Sequence, residues 1–165
     1  IILVYIVMAS QFESFMSPFV IMFSIPFAFV GVLLGLWVTG TPLGTMGMIG
    51  ILILMGIVVK NGIVLIDYTI LMRERGKSVA EASVIAAKSR LRPILMTTLT
   101  TVLGMIPMAI GQGEGSEMWR SLGMVVAWGL SISTLVTLVI IPTVYASMAS
   151  WQERRAARKA AKKNL

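Results

Sequence analysis

The sequence predicts an all-α fold, a polytopic bundle of transmembrane helices, and three observations lead to that prediction. The chain is 57% hydrophobic and only 13% charged, whereas soluble domains carry about 25% charged residues. Its mean hydropathy is strongly positive, at +0.91. Several apolar runs reach about 20 residues, which is the length that a helix needs to cross the hydrocarbon core of a bilayer.

The bundle is expected to begin with the end of one helix, followed by four full helices. The apolar start, residues 1–8, is too short to cross a bilayer and lacks the basic start of a signal peptide. It also has no initiator methionine. We therefore expect this segment to be the last part of a helix that ends near Ala9. The start of that helix is expected in a longer protein. A second helix is predicted over 17–38, with Pro18 in its first turn and a kink at Pro26.

The next helices follow from turn signals and periodicity. After the turn "TGTPLG", a third helix is predicted over 43–72, and its length of about 45 Å exceeds the hydrocarbon core. The segment "RERGKS" ends it. Ser78 and Glu81 then have the spacing of a capping box, which predicts a short amphipathic helix over 78–92 at the cytoplasmic membrane surface. A fourth spanning helix is expected over 93–110.

Charge places the remaining segments. A fifth helix is predicted over 121–148, after the glycine-rich loop "GQGEGSEMWR", so we expect a bundle over 1–148 and a basic tail over 149–165. Basic residues cluster in 73–92 and in the tail, beside apolar spans, as the positive-inside rule requires. Both segments, and hence the C-terminus, should be cytoplasmic. The same rule explains the net charge of +7 without nucleic acid as a partner.

Composition also limits the chemistry. The chain has no cysteine and no histidine, which removes thiolate and imidazole ligands and the usual general base at neutral pH. The 13 methionines are dispersed and indicate flexible packing instead of a metal site. No nucleophile–base pair is apparent. We therefore expect neither an enzyme nor a cofactor.

The stretch "IVVKNGIVLID" places Lys60 and Asp67 inside an apolar segment. A lysine at mid-membrane costs about 2.5–3.5 kcal/mol on insertion scales, so Lys60 should face the bundle interior and pair with acids. Asp67 lies on the same face but about 10 Å along the axis, too far for an ion pair. The acidic partners are therefore expected outside this chain. Two interpretations stay open: a proton or ion relay, and a static ion pair that holds helices together.

Hydroxyl groups line the start of the predicted fourth spanning helix. Arg90, Thr97 and Thr101 recur at spacings of seven and four residues and share one stripe, which is typical of one wall of a water-filled access path. The alternative is that threonines bond back to their own helix carbonyls, above all Thr98 and Thr100.

Glycines indicate close helix packing. Gly31 and Gly35 have the small-residue spacing that lets helices approach closely. Gly56 and Gly62 flank Lys60, so that packing, or backbone sliding past the site, is expected there too.

Two of these stretches together carry a family resemblance. "IVVKNGIVLID" and "RLRPILMTTLTTVLGMIPMA" resemble the C-terminal membrane half of resistance-nodulation-division transporters, in particular the hydrophobe/amphiphile multidrug efflux pumps. "SQFESFMSPFVIMFSIPFAFVG" and "IIPTVY" resemble the same family, so the likeness covers nearly the whole chain. It implies a multi-pass protein of the bacterial inner membrane with twelve transmembrane helices, of which this chain holds the end of the eighth and the ninth to twelfth. It also implies contact with membrane lipids, a homotrimer, a periplasmic adaptor and an outer-membrane channel.

The resemblance further implies drug/proton antiport driven by the proton motive force. In the family, the lysine of the "KN" motif neutralises an aspartate pair on the fourth helix, in the half that this chain lacks. By match, Lys60 takes the role of that lysine, Arg90 and Thr97 take the relay positions, and Asn61 is the motif neighbour. The relay candidates are therefore Lys60, Asn61, Arg90 and Thr97, with Asp67 and Thr101 as secondary candidates.

Two other functions remain as alternatives. One is a related proton-coupled export branch for metals, lipids or protein secretion. The other is a membrane scaffold or sensing domain that does not transport, in which Lys60 is purely structural.

The relay interpretation sets a geometric condition. Lys60 lies about 20 Å along its helix from Arg73, whereas Thr97 lies only about 8 Å from Arg92. The two side chains reach the same height only if the third helix extends into the cytoplasm.

Overall fold

The structure is a computed structural model that describes residues 2–13 and 15–163, with the side chains described up to residue 151. All regular structure within these residues is helical, which confirms the all-α fold. The helices, in chain order, are α1 (Ile2–Phe12), α2 (Met16–Met22), α3 (Ile25–Thr39), α4 (Thr45–Glu74), α5 (Val79–Ile110) and α6 (Ser116–Lys163).

Four segments are long and apolar enough to cross a membrane, which confirms the predicted polytopic bundle. The helices α2 and α3 together form the first of them, and α1 precedes it as a shorter apolar helix. The four segments are Met16–Thr39, Thr45–Glu74, Val79–Ile110 and Ser116–Trp151.

The predicted kink at Pro26 is a break between two helices. Helix α2 ends before Phe23, and Pro26 lies in the first turn of α3, where its missing N–H removes no helical hydrogen bond. The hydroxyl of Ser24 donates to the carbonyl of Ile21 at 2.6 Å and satisfies an acceptor at the break. The interruption is local, because Phe23 and Ser24 keep right-handed helical dihedral angles.

The predicted surface helix over 78–92 and the spanning helix over 93–110 form one continuous helix, α5. The capping box at its start is present, because the Glu81 amide donates to the Ser78 hydroxyl at 3.3 Å and the Ser78 amide to the Glu81 carboxylate at 3.4 Å. The predicted boundary at residue 93 is therefore wrong. A proline costs a helix one hydrogen bond, and the buried face of α5 continues across it.

Helix α6 is longer than predicted at both ends. It begins at Ser116, inside the predicted glycine-rich loop, and continues to Lys163, through the predicted tail. Its 48 residues correspond to about 72 Å. The division into a bundle over 1–148 and a tail over 149–165 stays a prediction.

Helix α6 packs against α3, α4 and α5 and forms the centre of the bundle. Gly47, Gly50 and Gly62 of α4 lie, in that order, against Ser121, Val125 and Ile141 of α6. The two helices therefore run in the same direction. Helix α5, which lies between them in the chain, runs in the opposite direction. Glycine on α6 allows the close approach as well, since Gly129 lies directly against Leu54 of α4 and Val32 of α3.

Candidate functional site

Lys60 lies on the side of α4 that faces away from α6. Gly56, Lys60 and Asp67 are exposed, and spacings of four and seven residues keep them on one stripe of the helix. Among the side chains that the structure describes, none makes an ion pair or hydrogen bond with Lys60. This lysine therefore presents its charge to a surface that the described residues do not cover.

A cavity of about 480 Å³ opens beside Lys60, between α1, α2, α3 and α4. Its walls are apolar and include Val4 of α1, Met22 of α2, Ile25 of α3 and Met55 of α4. Within the described part of the chain, Lys60 supplies the charge at its edge. An ammonium group at an apolar wall is costly unless an acid approaches it.

The neighbouring residue, Asn61, points the other way. It is 8% exposed and lies seven residues after Leu54 and four before Leu65, both of which are buried. These spacings put Asn61 on the face of α4 that packs against α6. The "KN" motif therefore serves two sides of one helix, with the charge outward and the amide inward.

Arg90 of α5 stacks on an aromatic ring of α4. Its guanidinium carbon lies 4.7 Å from the centre of the Tyr68 ring, a distance at which a cation–π interaction is favourable. Its Nε is buried and has no hydrogen-bond partner among the described residues. The register of α5 against α4 therefore places Arg90 at Tyr68.

This register brings Lys60 and the threonines of α5 to the same height. The two helices are antiparallel, Lys60 lies eight residues before Tyr68, and Thr98 lies eight residues after Arg90. Eight residues of helix correspond to about 12 Å in both cases. The structure therefore brings the two side chains to a similar height, and the extension of α4 into the cytoplasm stays a prediction.

Equal height is not contact, however. The Thr97 hydroxyl donates to the carbonyls of Pro93, at 3.1 Å, and Ile94, at 2.9 Å. The Thr101 hydroxyl donates to the Thr97 carbonyl at 2.8 Å. Both threonines therefore bond to their own helix, and in the described residues no hydrogen bond joins them to Lys60.

Thr98 behaves differently from the expectation of back-bonding. Its hydroxyl is buried and shares a hydrogen bond of 3.1 Å with the hydroxyl of Thr134 on α6. Thr100, by contrast, donates to the Met96 carbonyl at 2.8 Å, as expected. The difference follows from the helix face, since Thr98 points at α6 and Thr100 is exposed.

The sequence reasoning missed the polar residues of α6. Ser133, Thr134 and Thr137 are buried in the bundle, at 1%, 3% and 2% exposure. The stretch "SISTLVTL" carried the signal, because hydroxyls spaced four residues apart in an apolar helix share a face. Tyr145 was missed too, and its hydroxyl accepts a hydrogen bond from Arg73 at 3.4 Å.

The glycines named from the sequence divide into two groups. Gly31 and Gly35 of α3 lie against Ile132 and Trp128 of α6, and Gly62 lies against Ile21 and Ile141. At Gly56, an added Cβ would meet no described atom within 4 Å. Within the described residues, Gly56 borders the cavity beside Lys60, and its packing against another helix stays a prediction.

Metal ligands do not converge in the described part of the chain. Within it, no group of three or more acidic side chains is placed so that it could hold a metal ion. Among the described residues, the cavity beside Lys60 thus combines one ammonium group with apolar walls.

Comparison with known proteins gives a consistent result. Residues 1–149 match the AcrB/AcrD/AcrF family. The chain is 44% identical, over 94% of its length, to the swarming motility protein SwrC of Bacillus subtilis (strain 168). It is 39% identical, over 98% of its length, to the multidrug resistance protein MdtC of Proteus mirabilis (strain HI4320).

A solved structure is similar as well. The crystal structure of a heavy metal efflux pump matches with a TM-score of 0.81 and 34% identity, over 90% of this chain and 15% of the pump. The chain spans 15% of the length of SwrC and 16% of that of MdtC. The chain therefore belongs to the AcrB/AcrD/AcrF family, within the resistance-nodulation-division transporters.

Proposed function

We propose that the chain is part of a proton-driven efflux pump, a drug/proton antiporter of the bacterial inner membrane, and that Lys60 is the charge that its proton cycle uses. One observation carries the proposal: Lys60 lies on an uncovered face of α4, in a chain of this family, at the height of the threonines on α5. A lysine that only joined these helices would be directed at α6.

The partner of Lys60 in this proposal is an aspartate pair from the N-terminal half of the same transporter. The exposed surface supports this. In α5, 17% of the most apolar window is buried within the chain, against 44% in each of the other three spans. The sides of α4 and α5 that carry Lys60 and Thr97 are thus available to further helices, and an acid there offsets the cost of the buried ammonium.

The mechanism follows from charge balance. While the acids are ionised, Lys60 pairs with them. When they bind protons, the attraction falls, and in a medium of low dielectric the change is worth several kcal/mol, enough to bias two helix arrangements. Arg90 and Thr97 lie on the cytoplasmic half of α5 in this scheme and line the path along which protons move.

The exported substrate is proposed to be a drug, because MdtC is a multidrug resistance protein. Metal export is the second candidate, since the solved structure of similar fold is a heavy metal efflux pump. In either case the protein moves solutes and makes no covalent bond, so we do not propose an enzyme.

The assembly is proposed to follow the family. The full protein would form a homotrimer and work with a periplasmic adaptor and an outer-membrane channel. The loop between α4 and α5 and the C-terminus would be cytoplasmic, with the membrane lipids around the bundle.

The test is Lys60→Met in the full-length protein, which keeps the side-chain length and removes the charge. We expect insertion and oligomerisation to persist and export under an imposed proton gradient in proteoliposomes to be lost. Lys60→Arg keeps the charge but changes its shape and hydrogen-bond geometry, so impaired export is expected there too. The control is Lys88→Met, at an exposed position of α5, which should export normally. Normal export by Lys60→Met would show that this lysine is structural.

A further inference from the structure

Two hydroxyls of α6 differ from the others in the bundle. Ser133 and Thr137 have buried oxygens that find no hydrogen-bond partner among the described residues. Elsewhere the helical hydroxyls mostly donate to a carbonyl three or four residues earlier. Examples of that back-bonding are Thr69, Ser83, Thr97, Thr100, Thr101, Ser131 and Thr143.

The two hydroxyls face α4. Ser133 and Thr137 belong to a stripe of α6 with a spacing of four residues, and its other members contact α4 on either side of them. Gly129, one turn before, lies against Leu54, and Ile141, one turn after, lies against Gly62. Ser133 and Thr137 therefore lie opposite the stretch of α4 between those two contacts.

Asn61 lies in that stretch and on the face that packs against α6. The residue is 8% exposed, and no hydrogen bond joins its amide to another described residue. On the adjoining side of α6, Thr134 is bonded to Thr98 of α5. Polar groups of α4 and α6 that lack a partner thus lie beside the point where α5 is hydrogen-bonded to α6.

Burying these hydroxyls without a hydrogen-bond partner is energetically unfavourable. A buried hydroxyl without a partner costs free energy, because it loses its hydrogen bonds to water and gains none in return. A buried water with two to four polar neighbours removes that cost and is a common solution in proteins. The competing solution is rotation of each hydroxyl onto its own helix, where the carbonyls of Gly129 and Ser133 lie four residues earlier.

We propose that the junction of α4, α5 and α6 binds ordered water, with the hydroxyls of Ser133 and Thr137 and the amide of Asn61 as its ligands. We define this set as the junction site. It lies on the inner side of α4, whereas Lys60 points outward, and its existence does not depend on the transported substrate or on the proton cycle.

The first test is a structure of the full-length protein in lipid nanodiscs at a resolution that shows ordered water. We expect density at about 2.7–3.2 Å from both hydroxyl oxygens. The density should vanish in the double variant Ser133→Ala/Thr137→Val. It should remain in the control Ser131→Ala, whose hydroxyl donates to the Ala127 carbonyl at 2.7 Å. A junction without density, with both hydroxyls turned onto their own carbonyls, overturns the proposal.

The second test needs one conservative variant, Thr137→Val, and the melting midpoint of the full-length protein. Replacing a dry, unpaired hydroxyl by a methyl group is neutral or stabilising, whereas removing one ligand of a bound water leaves that water and Asn61 short of a partner. We therefore expect a lower midpoint for Thr137→Val than for the unaltered protein. An unchanged or raised midpoint overturns the proposal.

Discussion

Lys60 and Asn61 are adjacent in the chain, but their side chains point to different faces of α4. Successive helical residues are turned by about 100°, and here the turn separates an exposed ammonium group from an amide that is 8% exposed. Lys60 faces the surface where the proposed aspartate pair would lie, and Asn61 faces the junction site. Two neighbouring residues therefore belong to two different surfaces of α4, one exposed and charged and the other polar and packed against α6.

At the same scale, Thr97 and Thr98 should fail in different ways when they are substituted. Thr98→Val leaves the buried Thr134 hydroxyl without its partner, so we expect a loss of about 1 kcal/mol in the free energy of unfolding. Thr97→Val removes a hydroxyl that bonds only to its own helix carbonyls. It should leave stability nearly unchanged and, if the relay operates as proposed, reduce export.

A double-mutant cycle separates these effects. Thr98→Val and Thr134→Val should together cost less than the sum of the two single changes, because both remove the same hydrogen bond. The free energies are measured by denaturant unfolding of the full-length protein in mixed micelles, with Thr100→Val as the control. Strict additivity would mean that the two hydroxyls do not interact, and equal loss of export at both positions would favour plain helix packing over a relay.

At the scale of the helices, α5 and α6 approach each other backbone to backbone at Gly123. A Cβ added at Gly123 would lie 2.8 Å from the amide nitrogen of Ala109 and 3.1 Å from the Met105 carbonyl oxygen. Because both atoms belong to the backbone, they cannot rotate away. The fit of these two helices therefore depends on the absence of a side chain at this position.

Gly123→Ala should accordingly destabilise the bundle by about 1–3 kcal/mol, as overpacking does in well-packed cores. The expected signs are a lower melting midpoint and less protein in the membrane fraction. Gly44→Ala is the matched control, since φ is −80° there and an added Cβ would meet nothing within 4 Å in the described part of the chain. Equal yields and midpoints for the two variants would contradict the packing described here.

The helices also show how far sequence reasoning reaches. Periodicity and length predicted every spanning segment, and the third predicted helix, 43–72, differs from α4 by two residues at each end. The errors lay at boundaries: a boundary was predicted at residue 93, where Pro93 stands, and α5 continues through it. A proline weakens a helix locally, but Ala86 and Ile94, on either side of it, are 0% and 4% exposed. Packing of that shared face against other helices outweighs the lost hydrogen bond. This packing cannot be predicted from the sequence of one segment alone.

The site was predictable only in part for a similar reason. A lysine in an apolar run is conspicuous, so Lys60 was found at once. Ser133 and Thr137 are small, uncharged and common in helices, and their importance appears only when the neighbours leave them unpaired. Whether Thr98 bonds to its own helix or to Thr134 likewise depends on where α6 lies.

For the whole molecule, the alternating direction of α4, α5 and α6 predicts which loops share a side of the membrane. The chain has no cysteine, so single cysteines placed in a cysteine-free full-length background report directly. In spheroplasts, an impermeant maleimide should label Glu114→Cys, between α5 and α6. It should label Lys77→Cys, between α4 and α5, only after permeabilisation, because the basic segments are expected inside. Labelling of both in sealed spheroplasts would contradict this topology.

In the proposed topology, the unbroken course of α5 connects the cytoplasm directly to the level of Lys60. From Val79 to Ile110 the helix is about 48 Å long. It contacts α4 where Arg90 stacks on Tyr68, and it packs against α6 at Gly123. No loop interrupts α5 between its first turns and the height of Lys60. A protein that binds residues 80–89 from the cytoplasm would therefore restrict the movement of the bundle without entering the lipid.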